Sequence, residues 1–158
     1  MQNIRVCSRF KFDKKGSTKN ASFSGPVVLL QDGLFLVAKS VTTESAHLAM
    51  ALFGLLGALF ASFFSSLDNI KFPYPAVRCG DLPDQLRNIK GFGRLKEKYR
   101  IVIVKREEII GYTSSFFGTF KLICTGEEIV LLGSRRKLIS SFIEYGYAEY
   151  KPKTNKTV

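Results

Sequence analysis

Hydrophobic and polar positions along the chain predict β-strands in two blocks. The first block holds IRVCSRFKF (4–12), a candidate edge strand, and VVLLQDGLFLVAK (27–39), where Asp32-Gly33 divides two apolar runs. Asp-Gly between such runs is typical of a hairpin, because Gly33 can adopt the positive φ of a tight turn. The second block is rich in β-branched and aromatic residues and predicts four further strands: YRIVIVK, EEIIGYTSS, FKLIC and EEIVLL, within 99–132.

The hydrophobic period changes from two to about 3.6 after the last of these strands, which predicts a helix over 135–145. Ser134 suits the N-cap of this helix and Gly146 suits the position after its C-cap. Its apolar side chains fall on one helical face: Leu138, Ile139, Phe142 and Ile143. An amphipathic helix that follows antiparallel strands is expected to cover one open end of the sheet.

Between the two blocks lies HLAMALFGLLGALFASFFSSL (47–67), a segment without formal charge. As a helix, Leu48 to Leu67 would be about 30 Å long, which matches the hydrocarbon core of a bilayer. Its small residues recur at helical spacing and form a narrow packing face: Gly54, Gly57, Ala58, Ala61 and Ser62. Such a face lets two backbones approach closely in lipid, and it also suits packing on protein in water.

Topology limits how this segment could meet a membrane. A helix that crosses once would place the hairpin 27–39 and the strands of 101–132 on opposite sides of the bilayer, although they are predicted to share one sheet. Residues 68–98 are too polar and proline-rich to return across it. The alternatives are a re-entrant or interfacial helix, a helix buried in an oligomer, or a transmembrane helix with no shared sheet. The length of the segment favours lipid contact, and a spanning helix would place the C-terminal strands in the cytoplasm.

These elements predict an α+β fold, in which a small antiparallel β-barrel or rolled sheet is capped by a C-terminal helix. Residues 1–45 and 99–150 would form one discontinuous domain with its capping helix at 135–145. Residues 46–98 would be an inserted apolar helix followed by a proline-rich linker, and 151–158 a basic tail.

Two stretches, GPVVLLQDGLFLVAK and IVIVKREEIIGYTSSFFGTFKLICTGEEIVLLGSRRKLISSFI, resemble pleckstrin-homology-like and GRAM-like domains. The chain also resembles uncharacterised bacterial proteins in which a glycine-rich helix is inserted after the first hairpin. The resemblance implies a barrel with a membrane-facing or binding role and no catalytic activity. It would also give a phosphate-binding role to lysines in the loop before the first hairpin, Lys14, Lys15 and Lys19. The alternative for these lysines is a solvated loop.

The charge balance adds a preference for anionic partners, since 24 Lys and Arg outnumber 13 Asp and Glu and give a formal charge of +11. Arg135, Arg136 and Lys137 occupy the first helical turn, where the helix dipole disfavours cations. Their position is better explained if an anion binds beside them, with a solvated cluster as the alternative. Acidic lipid headgroups fit this pattern. Nucleic acid fits it less well, because aromatic and basic residues do not alternate on a strand.

Catalytic and metal chemistry has little support in the sequence. His47 is the only histidine, and Cys7, Cys79 and Cys124 are widely spaced, so we predict no enzyme, no metal site and no cofactor. Two function classes remain. The first is a membrane-associated binding or scaffolding domain on the cytoplasmic side, attached or self-associating through helix 46–67. The alternative is a cytoplasmic, soluble, homo-oligomeric interaction module whose apolar helix is buried against protein.

Overall fold

The computed structural model of the chain describes residues 4–13, 21–43, 51, 52, 54, 66–82, 87, 95–115 and 119–149. Nine strands lie within these ranges: β1 (Ile4–Phe12), β2 (Ala21–Leu30), β3 (Gly33–Ala38), β4 (Ser40–Thr43), β5 (Ala76–Arg78), β6 (Arg100–Lys105), β7 (Ile109–Ser114), β8 (Phe120–Cys124) and β9 (Glu128–Leu131). Three short 3-10 helices cover Leu67–Asn69, Cys79–Asp81 and Arg106–Glu108, and the C-terminal helix covers Arg135–Glu144. The predicted strands of both blocks and the predicted C-terminal helix are therefore confirmed.

The strands form one antiparallel sheet in the order β5-β6-β3-β2-β1-β9-β8-β7, with β4 paired to β2 outside this path. The early hairpin pairs directly with a late strand, because β3 lies beside β6 over its whole length, as in the pair Phe35 and Ile103. A second junction pairs β1 with β9 at Phe10 and Leu131. The two predicted blocks thus belong to the same sheet.

The sheet is rolled but not closed into a barrel by the strands the structure describes. Arg106–Glu108 alone separate β6 from β7, although β7 ends the strand order and β6 is next to its other end. A three-residue connection spans at most about 14 Å, so the sheet must curl until these two strands approach each other. No pairing joins the end strands β5 and β7 among the described residues.

Aromatic side chains fill the inner face of the rolled sheet. Phe10 stacks on Phe23 with ring centroids 5.2 Å apart, and Phe120 lies 5.1 Å from Phe142 of the C-terminal helix. Aromatic pairs at these separations are stabilising beyond the area that they bury. The helix is therefore held against the sheet by ring contacts as well as by Leu138, which is fully buried.

The predicted apolar face of the C-terminal helix is partly wrong. Leu138 and Phe142 are buried as predicted, but Ile143 is 60% exposed. At about 100° per residue, Ile143 lies roughly 140° around the helix from Leu138. The buried side instead includes Ser141, which lies on the other side of Leu138. The sheet covers the Leu138 end of the apolar arc and the neighbouring Ser141, so Ile143 at the other end stays in solvent.

The outer face of β2, β3 and β6 is buried as well. This second apolar cluster contains Val28, Phe35, Val37, Leu82, Tyr99 and Ile101. Strands that are covered on both sides carry continuous apolar runs instead of alternating ones. This explains why VVLL, LFLVA and IVIV in these strands contain no polar residue.

Arg106 joins three parts of the chain at the turn between β6 and β7. Its guanidinium donates hydrogen bonds to the carbonyl oxygens of Gln31, Tyr145 and Gly146, the second at 2.8 Å, and lies 4.5 Å from the ring centroid of Tyr147. A cation at a helix C-terminus satisfies carbonyl groups that have no partner within the helix. Arg106 thereby fastens the C-terminal helix to the β2–β3 turn.

Gly33 has the positive φ that was predicted, +152°, and the hairpin forms. Gly33 lies at the first position of β3, directly after the two turn residues Gln31 and Asp32. The structure adds a second requirement, because a Cβ at Gly33 would overlap the carbonyl oxygen of Val104 in β6. The glycine therefore allows close approach between strands.

The described part of the predicted proline-rich linker forms regular secondary structure and contacts the core. Residues 67–82 contain two 3-10 helices and β5, and Phe72 packs 5.1 Å from Phe23 in the core. Much of 46–98 and all of the predicted basic tail 151–158 lie outside the described residues. Of the predicted helix 46–67, the structure describes residues 51, 52, 54, 66 and 67.

Glycine substitution tests the close approach of strands in this sheet. Gly25 has φ of +150°, and an added Cβ would overlap the carbonyl oxygen of Val37. We expect Gly25→Ala to lower the free energy of unfolding by about 2 kcal/mol or more, through backbone strain and overpacking. Gly80→Ala is the matched control, because its Cβ would meet no atom within 4 Å, and it should change stability by less than about 0.5 kcal/mol. Urea denaturation measures both, and equal stabilities of the two variants would contradict this close packing of strands.

Candidate anion-binding sites

The predicted cationic cluster lies at the start of the C-terminal helix. Arg135, Arg136 and Lys137 are all exposed, and Arg135 donates a weak hydrogen bond to the Ser114 hydroxyl at 3.4 Å. Ser134 occupies the N-cap position as predicted, but its side chain makes no capping hydrogen bond. The first-turn N–H groups therefore keep their capacity to bind an anion.

Tertiary structure adds Arg5 to this cluster. A cavity of about 270 Å³ lies between the start of β1 and the start of the C-terminal helix, and its lining includes Arg5, Cys7, Ser134 and Lys137. The described lining residues comprise two cations and no carboxylate. We call this place the helix-start site. Because no acidic side chain among those lining residues offsets the positive charge, the site favours an anionic ligand.

Cys7 gives the helix-start site a neutral wall. Burial raises the pKa of its thiol to about 11, and this outweighs the opposite influence of Arg5 and Lys137. The Sγ–H group donates to the carbonyl oxygen of Arg9 at 3.4 Å. Since the thiolate is the nucleophilic form of cysteine, the site is suited to binding an anion and not to covalent chemistry at neutral pH.

A second and larger cavity, of about 750 Å³, lies between residues 67–82 and the start of β6. We call it the linker cavity. One part of its wall is apolar and includes Leu67, Ile70, Phe72 and Val77. The charged residues among the described lining are three cations and two carboxylates, which together carry a net charge of +1: Lys71, Arg78 and Arg100 with Asp68 and Asp81.

Arg100 is the central charged group of the linker cavity. It is only 9% exposed, and its guanidinium donates to the Asp68 carboxylate and to the carbonyl oxygens of Glu97 and Tyr99 at 3.3 and 3.2 Å. Arg78 lies opposite Arg100 in the β5–β6 register, and its Nη2 is 3.8 Å from the same Asp68 oxygen, Oδ1. One carboxylate therefore serves two guanidinium groups.

Sequence reasoning missed the linker cavity. The residues that follow the apolar helix within 46–98 were predicted to be a proline-rich linker, and Asp68 and Arg100 are 32 residues apart. One local signal was present, because Ile70, Phe72 and Tyr74 alternate with other residues at the period of an extended chain. The pairing of β5 with β6, which brings Arg78 to Arg100, has no such local signal.

The remaining predicted site residues lie mostly outside the described part of the chain. This holds for Lys14, Lys15 and Lys19 and for the packing-face residues Gly57, Ala58, Ala61 and Ser62. Gly54 is described: it is exposed, has φ of +54°, and has no atom within 4 Å of the position of an added Cβ. In the described ranges, the structure contains no helix with the length and hydrophobicity needed to span a membrane.

Comparison with protein-family models, with curated proteins and with solved structures finds no match for this chain. The sites themselves therefore carry the argument about function. Within the ranges that the structure covers, no group of three His, Cys, Asp or Glu side chains could hold a metal ion.

Buried thiols predict a loss of stability at alkaline pH. Burial raises the pKa of Cys7 to about 11 and that of Cys124 to about 12, from 9.0 in an exposed cysteine. Above about pH 9 the unfolded chain releases these protons while the folded chain retains them, so the stabilisation present below pH 9 is lost as pH rises. We expect the melting temperature to fall between about pH 9 and pH 11.

Cysteine variants test whether the buried thiols cause the loss of stability at alkaline pH. Cys124→Ala should flatten the dependence of melting temperature on pH, because one buried acid is removed. Cys79→Ala serves as the control, since Cys79 is only half-buried, and should retain the wild-type profile. Identical pH profiles for the wild type and Cys124→Ala would show that the buried thiol does not cause the effect.

Proposed function

We propose that this protein is a non-enzymatic binding module that associates with an acidic membrane surface on its cytoplasmic side. The observation that carries the proposal is the helix-start site, where Arg5 and Lys137 line a cavity with no carboxylate among its described residues. Arg135 and Arg136 are exposed in the same helical turn as Lys137 and add two further positive charges to this end of the helix. The rolled antiparallel sheet with its C-terminal helix also supports a pleckstrin-homology-like arrangement.

The energetics favour such an association. Each Lys or Arg near an anionic leaflet contributes about 1 kcal/mol, and the chain as a whole carries a charge of +11. Electrostatic attraction alone gives reversible binding, so stable attachment needs an apolar contribution as well. The uncharged segment 46–67 would supply that contribution and could also self-associate through its small residues.

Vesicle sedimentation tests the cationic surface. Wild-type protein should bind vesicles of phosphatidylcholine and phosphatidylserine more tightly than vesicles of phosphatidylcholine alone. The triple variant Arg135→Gln/Arg136→Gln/Lys137→Gln should lose about 3 kcal/mol of binding free energy to the acidic vesicles, or roughly 100-fold in affinity.

A triple variant with the same loss of charge controls for net charge. Lys96→Gln/Lys98→Gln/Lys105→Gln removes three exposed lysines elsewhere on the chain, and we expect it to reduce binding much less than the helix-start variant. Equal losses would show that only net charge matters, and failure of the wild type to bind acidic vesicles would refute the membrane proposal.

The alternative is a soluble homo-oligomeric interaction module, and the exposure of Leu52 in the apolar segment supports it equally. Leu52 is 66% exposed, and the space beside Gly54 is open. A large exposed apolar side chain beside open space suits contact with a second copy as well as with lipid.

Sedimentation velocity without lipid tests this alternative. A soluble module should sediment as a discrete oligomer, and Gly57→Leu should reduce its size, because leucine prevents close approach of two backbones. Ala51→Leu, at an exposed position of the same segment, is the control and should leave the oligomer unchanged. A monomeric wild type would count against this alternative.

A further inference from the structure

We infer that the linker cavity binds a small amphipathic anion, a phosphate or carboxylate group attached to an apolar chain, and that Asp68 competes with this anion for Arg78 and Arg100. The inference does not rest on the membrane association proposed above, since the linker cavity and the helix-start site share none of their described lining residues. A soluble amphiphile and a lipid headgroup have the chemistry required.

The buried guanidinium of Arg100 is the first reason. Arginine keeps its charge in proteins, and burying that charge is unfavourable unless an anion is paired with it. Two of the hydrogen-bond acceptors of Arg100, the carbonyl oxygens of Glu97 and Tyr99, belong to the backbone. Among the described residues, the carboxylate of Asp68 is the one side-chain acceptor of Arg100, so an incoming oxyanion could replace it without moving the main chain.

Asp68 is itself placed to exchange with solvent. Its side chain is 63% exposed, whereas that of Arg100 is 11% exposed. Ser66 caps the 3-10 helix that carries Asp68, because its hydroxyl accepts a hydrogen bond from the backbone N–H of Asp68 at 3.3 Å. This contact does not involve the Asp68 side chain. The carboxylate can therefore rotate into water while its backbone stays in place.

The two arginines provide the geometry that an oxyanion needs. Register pairing of β5 with β6 places Arg78 opposite Arg100, and both guanidinium groups approach the same oxygen of Asp68. Guanidinium groups bind phosphate and carboxylate through two parallel N–H donors, which fixes the orientation of the anion. Lys71 lines the same cavity and adds a third positive charge.

The apolar wall indicates that the ligand is more than a simple anion. Leu67, Ile70 and Phe72 lie beside the charged groups, in the same cavity. Phe72 is held in position by the core, with its ring 5.1 Å from Phe23 and 6.2 Å from Phe12. Ligand cavities generally combine such an apolar wall with a few polar groups that fix orientation. An apolar chain attached to the oxyanion would use both parts.

Calorimetry with decyl phosphate, kept below its micellar concentration, tests this inference on the full chain. Wild-type protein should bind decyl phosphate at least about tenfold more tightly than inorganic phosphate or uncharged decanol, because each control lacks one half of the ligand. Equal affinity for inorganic phosphate and decyl phosphate would show that the apolar wall does not contribute to binding. Absence of saturable binding of decyl phosphate would refute the inference as a whole.

Variants of the charged groups test the competition. Arg78→Gln should weaken binding of decyl phosphate about tenfold through loss of a charge-assisted contact. Arg78 has a 65% exposed side chain, so the variant should fold. Asp68→Asn should strengthen binding several-fold, because it removes both a competing anion and a repulsive charge. Glu107→Gln is the matched control for loss of an exposed carboxylate and should leave affinity unchanged.

A thermal readout separates competition from a purely structural salt bridge. Asp68→Asn should melt at a lower temperature than the wild type without ligand and show a larger rise in melting temperature when decyl phosphate is added. Weaker binding by Asp68→Asn than by the wild type would overturn the competition. The helix-start triple variant should keep the wild-type affinity for decyl phosphate. If it fails to bind vesicles, that result tests the membrane proposal and not ligand binding in the linker cavity.

A vesicle arm distinguishes the source of the anion. If the ligand is a membrane lipid, Asp68→Asn should also bind phosphatidic acid vesicles more tightly than the wild type does. If the ligand is a soluble amphiphile, Asp68→Asn should bind decyl phosphate more tightly than the wild type does and should bind vesicles with the same affinity as the wild type. Either result supports the cavity as the binding site, whereas no difference in both assays would overturn it.

Discussion

The pairing of β3 with β6 is the interaction on which the rest of the structure depends. It joins the early hairpin to β6, in which Arg100 pairs with Ala38 of β3 although it lies 62 positions later in the chain. Closing such a long loop is unfavourable in entropy, but the cost grows only slowly with loop length. The gain is large because the side chains of both strands are buried on both faces, with Leu36 and Val102 on the inner face and Val37 and Ile101 on the outer face.

Both ends of β6 carry groups that depend on this pairing. At its start, Arg100 reaches Asp68 and faces Arg78 of β5, so the charged part of the linker cavity is assembled only once β6 is in place. Directly after its end, Arg106 binds the β2–β3 turn and the end of the C-terminal helix. One strand therefore connects the cavity to the helix that supports the helix-start site.

The two candidate sites differ in how their positive charge is balanced. The helix-start site has cations in its wall with no acidic partner among its described lining residues, which suits a surface that attracts anions over a distance. The linker cavity has cations that already share a carboxylate beside an apolar wall. This arrangement suits recognition of a particular anion, since a ligand must replace an existing partner to bind.

The sequence by itself determined seven of the described strands (β1, β2, β3 and β6 to β9), the C-terminal helix and the position of Arg135, Arg136 and Lys137, because hydrophobic period and helix caps are local properties of neighbouring residues. It did not predict β4 or β5, which pair with β2 and β6. Only the tertiary structure decided which strands pair, that Ile143 faces solvent, that Gly33 serves strand approach, and that Arg5 joins the helix-start site. It also decided that Asp68, Arg78 and Arg100 meet. These outcomes depend on contacts between residues distant in the chain, and a local pattern of hydrophobicity contains no information about register or about which part of an apolar arc a neighbouring sheet will cover.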